Sequence, residues 1–89
     1  MAMSISVGEP INIGPYNGRV VTVTGDNSAQ YIATGVGVAL KGAIYLSGTD
    51  ANGASFEINT ADSSATTNGT LYWHTAIGSS ETAKLIILY

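Results

Sequence analysis

The run Val38-Ala39-Leu40-Lys41-Gly42-Ala43-Ile44-Tyr45-Leu46-Ser47 alternates with the period of a β-strand. Val38, Leu40, Gly42, Ile44 and Leu46 fall on one face, which is apolar throughout. Ala39, Lys41, Ala43, Tyr45 and Ser47 fall on the other, which mixes small, charged and aromatic side chains. This pattern predicts a strand with its first face in the core and its second toward solvent or a partner. Gly42 interrupts the apolar face and marks a bulge or a close crossing.

The same period recurs along the chain, and no segment follows the 3.6-residue period of a helix. Arg19 to Thr24 is rich in β-branched residues and follows the turn dipeptide Asn17-Gly18. Ala29 to Ala33 is a short strand between the turn clusters Gly25-Asp26-Asn27-Ser28 and Thr34-Gly35-Val36-Gly37. Ala54 to Thr60 places Phe56 and Ile58 on one side, and pairs with the 38–47 strand as a hairpin through Asn52-Gly53. Residues 61–69 are low in apolar content and predict the longest loop. Thr70 to Thr75 directs Leu71 and Trp73 one way and Tyr72 and His74 the other. Gly78-Ser79-Ser80-Glu81 turns the chain into a last strand, Thr82 to Tyr89. Short strands between turns predict an all-β fold, a small antiparallel β-sandwich or jelly-roll-like barrel with no significant helix. Residues 1–15 read as an extended N-terminal arm or first strand, and residues 16–89 as a single β-sandwich domain. The expected core is Leu40, Ile44, Leu46, Phe56, Ile58, Leu71 and Trp73.

Two segments point to contacts with other chains. In the last strand Leu85, Ile87 and Tyr89 lie on one face, while Ile86 and Leu88 lie on the other. Both faces are apolar, so both call for burial, between two layers or in a subunit interface. In the arm, Ile5, Val7, Ile11 and Ile13 alternate with polar residues, and Pro10 and Pro15 limit pairing within the protein's own sheet. An extended segment of this kind suits strand addition to another protein. The interface candidates are therefore Ile5, Val7, Ile11, Ile13, Ile86, Leu88 and Tyr89.

Length and composition favour association. A chain of 89 residues hides roughly 63% of its unfolded surface on folding, a thin margin. Small domains add disulfides, metals or partner chains to such a core. The chain has no cysteine and one histidine, which leaves self-association. Charged residues make up 10% of the chain against a usual ~25%, as on surfaces buried in an assembly. Three basic residues, Arg19, Lys41 and Lys84, and a net charge of −3 argue against nucleic acid. No apolar run approaches the ~20 residues of a membrane helix. The N-terminus lacks a basic region and an apolar stretch, so synthesis in a cytosol is expected.

Chemistry-bearing residues do not assemble into a catalytic pattern. Asp50-Ala51-Asn52-Gly53 with Glu57 lacks the glycine and glutamate spacing of a calcium loop and reads as a turn. Gly35-Val36-Gly37 has no following helix to cradle phosphate. His74 has no nucleophile or paired carboxylate visible in sequence. Trp73 belongs with the core; a sugar-binding face would need two or more exposed aromatics. No enzymatic activity, cofactor or metal is expected.

In layout, Thr34-Gly35-Val36-Gly37, then Leu40-Lys41-Gly42, a Gly/Asn loop from Gly48 to Ala54, Phe56-Glu57-Ile58-Asn59, a polar loop and a C-terminal strand, the chain resembles small head-decoration, or cement, proteins of tailed bacteriophages. The resemblance implies a virion structural protein, made in the host cytoplasm, that binds the major capsid protein at the capsid surface as a homo-oligomer, a trimer ahead of a dimer. A carbohydrate-binding β-sandwich module or a tail-fibre fragment is the alternative.

Overall fold

The computed structural model describes residues 3–28, 30–59 and 68–89. They form seven antiparallel strands in two packed sheets, an all-β sandwich. The strands are β1 (Ser4–Ile13), β2 (Tyr16–Thr24), β3 (Tyr31–Ala33), β4 (Gly42–Gly48), β5 (Phe56–Ile58), β6 (Thr70–Trp73) and β7 (Thr82–Leu88). Sheet A has the order β1-β2-β7-β4 and sheet B the order β3-β6-β5.

Within the expected arm, Ser4–Ile13 form an edge strand, β1. β1 pairs with β2 along its length, from Ser4 opposite Thr24 to Ile13 opposite Tyr16, with one register shift between Val7 and Pro10. The hairpin turns at Gly14-Pro15, where Gly14 takes φ 59° at the first of two loop positions, as a type II′ turn requires. Asn17-Gly18, expected as the turn, instead lies inside β2. Ile11 and Ile13 fold over its glycine: a Cβ on Gly18 would sit 2.8 Å from Ile13 Cδ1 and push that methyl aside.

The core lies between the sheets. Val21 and Val23 of β2 and Ala83, Leu85 and Ile87 of β7 face Leu71 and Trp73 of β6. Met3, Leu40 and Ile77 close its ends. Phe56 and Ile58 pack against this cluster while partly exposed. Trp73 is fully buried, and its Nε1 donates to the Gly53 carbonyl at 2.9 Å.

The 38–47 stretch is the main correction. Its strand begins at Gly42, and its faces are the reverse of those expected. Ala43 and Tyr45 pack toward the core, whereas Ile44 and Leu46 are 48% and 45% exposed and Val38 is 51% exposed. The cause is register. Tyr45 lies opposite Leu85 and Ala43 opposite Ile87, so they share the face of the two buried residues of β7. Leu40 is buried without a ladder partner. The Asn59 side chain satisfies its backbone, with Oδ1 accepting from Leu40 N at 2.7 Å and Nδ2 donating to Leu40 O at 2.8 Å.

The expected hairpin between 38–47 and 54–60 is also absent. β4 pairs with β7 and β5 with β6, so the intervening segment crosses from one sheet to the other. The crossing is a single 3-10 turn, Ala51–Ala54, capped by Asp50. The Asp50 carboxylate accepts from Asn52 N at 2.9 Å and from Gly78 N at 2.7 Å, joining this turn to the one before β7. These backbone N–H groups, that of Asn52 first, hold the Asp50 pKa below its ordinary value. A carboxyl whose pKa falls on folding stabilises the fold above its unfolded pKa of about 3.9. That contribution is lost as pH drops through the lower, folded value. Asp50→Asn should therefore be less stable than wild type at pH 7, and the difference should shrink as pH falls through the folded value, read as urea midpoints at descending pH.

Candidate functional site

Two outward faces and one cavity carry the exposed chemistry. On the outer face of sheet A, Val20, Ile86 and Ile44 stand directly opposite one another on β2, β7 and β4. In the next row Ile11, Gly18, Leu88 and Gly42 align across all four strands. Directly opposed residues share a face, so these rows form one aliphatic surface. Ile13 joins it by lying over Gly18, and Leu88 Cδ1 lies 3.5 Å from a Cβ built on Gly42. Toward the other end the rows turn polar, with Thr22, Lys84 and Ser47 in register. Lys84 is the one charged residue of β7. No segment among the described residues packs over the aliphatic rows: Ile11 and Ile44 stay exposed, and Val20, Ile86 and Leu88 half-buried.

Of the residues expected at an interface, the structure brings Ile11, Ile13, Ile86 and Leu88 together here. It places the other three elsewhere. Ile5 stands opposite Val23 and packs against the core. Val7 and Tyr89 line a cavity of about 430 Å³ with Arg19, Thr34, Gly35 and Val36. Tyr89 is held there by Arg19, whose Nε donates to its hydroxyl at 2.9 Å while Nη1 donates to the Gly8 carbonyl at 3.0 Å. Arg19 thereby ties the irregular middle of β1 to the end of the chain. The free-arm reading of β1 loses its physical basis, because its hydrogen bonds run to β2. The register shift and Pro10 also interrupt its outer edge, a common way to blunt strand addition. Sequence reasoning missed Val20, Ile44 and Leu46 as surface residues. The alternation was legible, but not which of the two faces turns outward.

The outer face of sheet B has a different character. Tyr31, Tyr72 and Glu57 stand in one row across β3, β6 and β5. His74 follows Tyr72 on the same side, its ring perpendicular to that of Tyr72 with centroids 5.0 Å apart. The His74 Nε2 contacts the Glu57 carboxylate. Gln30 Nε2 donates to the His74 carbonyl at 2.6 Å, fastening the start of β3 to the end of β6. The outward direction of Tyr72 and His74 follows from alternation. The carboxylate partner of His74 does not, because it depends on β5 pairing with β6 across a long connection.

Among the described residues no group of three or more His, Cys, Asp or Glu side chains is placed to hold a metal ion. No described helix is long and apolar enough to cross a membrane. No family model, curated protein or solved structure matches this chain.

Proposed function

We propose that this chain is a virion structural protein, a decoration subunit that self-associates and binds the major capsid protein of a tailed phage. One observation carries the reading: the aliphatic outer face of sheet A, built on a central strand that is apolar on both sides. Burying such a face contributes about 25 cal/mol per Å² of apolar surface, before the entropic cost of association is subtracted. A monomer leaves it in water. The capsid enters as the partner class through the sequence's resemblance in layout to cement proteins. A homo-oligomer, a trimer ahead of a dimer, buries the aliphatic rows between copies. It also presents several identical capsid contacts at once, which multiplies weak single-site binding.

The test is co-sedimentation of the protein with undecorated phage capsids at increasing salt. Saturable binding that changes little with salt supports the reading, because apolar contact is not screened. A protein that leaves every capsid bare, or a monomer at micromolar concentration in sedimentation velocity, removes it.

A further inference from the structure

We propose that the outer face of sheet B is a binding platform for a neutral pyranose oligosaccharide, a site separate from the aliphatic face of sheet A. Tyr31 and Tyr72 stand side by side in the ladder, and the Tyr72 and His74 rings meet edge to face; Tyr31 is 39% exposed, the His74 side chain 68% exposed and Tyr72 half-buried. Tyr31 and Tyr72 are direct cross-strand partners, which sets their Cβ atoms about 5 Å apart. The row from Tyr31 to Glu57 crosses three strands, about 10 Å, the length of a disaccharide.

The chemistry selects the ligand. An aromatic face is electronegative at its centre. The axial C–H groups of a pyranose are polarised by the ring oxygens and stack on such a face. Sugar hydroxyls then need polar partners at the rim. The tyrosine hydroxyls, the Glu57 carboxylate and the His74 ring supply donors and acceptors there. The outer face of sheet A carries one exposed ring, Tyr16 opposite Ile13, and no second ring beside it among the described residues.

Charge narrows the class further. Arg19 and Lys84 lie on β2 and β7, and Lys41 directly precedes β4. None of the three lies on a strand of sheet B, and the platform carries a carboxylate. A uronic acid or sulfated sugar would meet Glu57 without a lysine or arginine to offset it. A neutral sugar meets a carboxylate already engaged by His74.

The test uses the folded wild-type chain in backbone amide NMR titrations. The probes are neutral tetrasaccharides (cellotetraose, laminaritetraose, chitotetraose and a galactotetraose), with trigalacturonic acid and decaproline as comparisons. The expected result is saturable binding of at least one neutral tetrasaccharide with a Kd below 10 mM, and shifts centred on Tyr31, Glu57, Tyr72 and His74. Tyr31→Thr and Tyr72→Thr keep a strand-forming residue and should each weaken binding at least tenfold. Tyr31→Phe keeps the ring and should stay within about threefold. Glu57→Gln, at an exposed side chain outside the core, should weaken binding several-fold whether or not the tyrosine variants fold well. Lys84→Gln, at an exposed position on the opposite sheet, should leave the Kd unchanged. The proposal is overturned by no neutral probe binding below 10 mM, by tighter binding of trigalacturonic acid or decaproline, by shifts centred elsewhere, or by a Kd that Glu57→Gln leaves unchanged.

Discussion

Trp73→Ala is expected to leave little folded protein at 25 °C. Trp73 is fully buried, the largest side chain in the core, and it touches the strand neighbour Phe56 with ring centroids 6.1 Å apart. Truncating a buried tryptophan costs about 3–5 kcal/mol. A second loss adds to it. Gly53 is buried in the crossing turn, and its carbonyl accepts from Trp73 Nε1 at 2.9 Å. Without that donor the carbonyl is stranded, a further cost of about 1–3 kcal/mol. At about 0.05–0.15 kcal/mol per residue the whole domain has roughly 4–13 kcal/mol to lose. Trp73→Phe separates the two effects. It keeps most of the ring, loses the N–H, and should fall between wild type and alanine in urea midpoint. A Trp73→Ala protein with the wild-type midpoint would place the indole outside the core. Phe56→Ala should cost less than Trp73→Ala, because Phe56 is only partly buried.

The fold class was legible because β-alternation and turn residues recur along the whole chain. Leu71 and Trp73 read as core for the same reason. What could not be read was the pairing of strands distant in sequence. Ile44 and Leu46 form an apolar set as convincing as any core face, yet they turn outward. Their direction is fixed by Tyr45 standing opposite Leu85, forty residues later. Alternation defines two faces and is silent about which one a partner strand will cover. Likewise Asn52-Gly53 looked like a hairpin loop, and only the pairing of β5 with β6 makes it a crossing between sheets. The candidate surface was half legible. Ile86 and Leu88 stood out because their strand is apolar on both sides. Val20 and Ile44, their neighbours in space, were hidden inside runs that read as ordinary strands. The His74–Glu57 contact depends on the same kind of long-range pairing.

Adjacent substitutions on β7 should give opposite outcomes. Ile87 is fully buried between Arg19 and Ala43 in the ladder, on the core face of sheet A. Ile87→Lys places an ammonium among Leu85, Val21 and Trp73, with no carboxylate in that core cluster. An unpaired charge in such a place is among the most destabilising substitutions known, and the variant should not fold. Ile86, one residue earlier, lies half-buried on the outer face between Val20 and Ile44. A lysine there can lay its stem along those two side chains and carry its charge into water, so the isolated subunit should stay folded. The lower strand preference of lysine costs at most about 1 kcal/mol. Association is where Ile86→Lys should act. In a symmetric oligomer the substitution recurs in every copy, and each new charge is carried into the apolar contact without a partner. A loss of at least a hundredfold in the oligomer's dissociation constant follows, with capsid decoration lost alongside it. Circular dichroism and urea melts read the fold, and sedimentation velocity reads the assembly. If Ile86→Lys unfolds as Ile87→Lys does, the outer face is covered within the subunit. If it folds and sediments as the wild-type oligomer, the aliphatic rows are not the contact between copies.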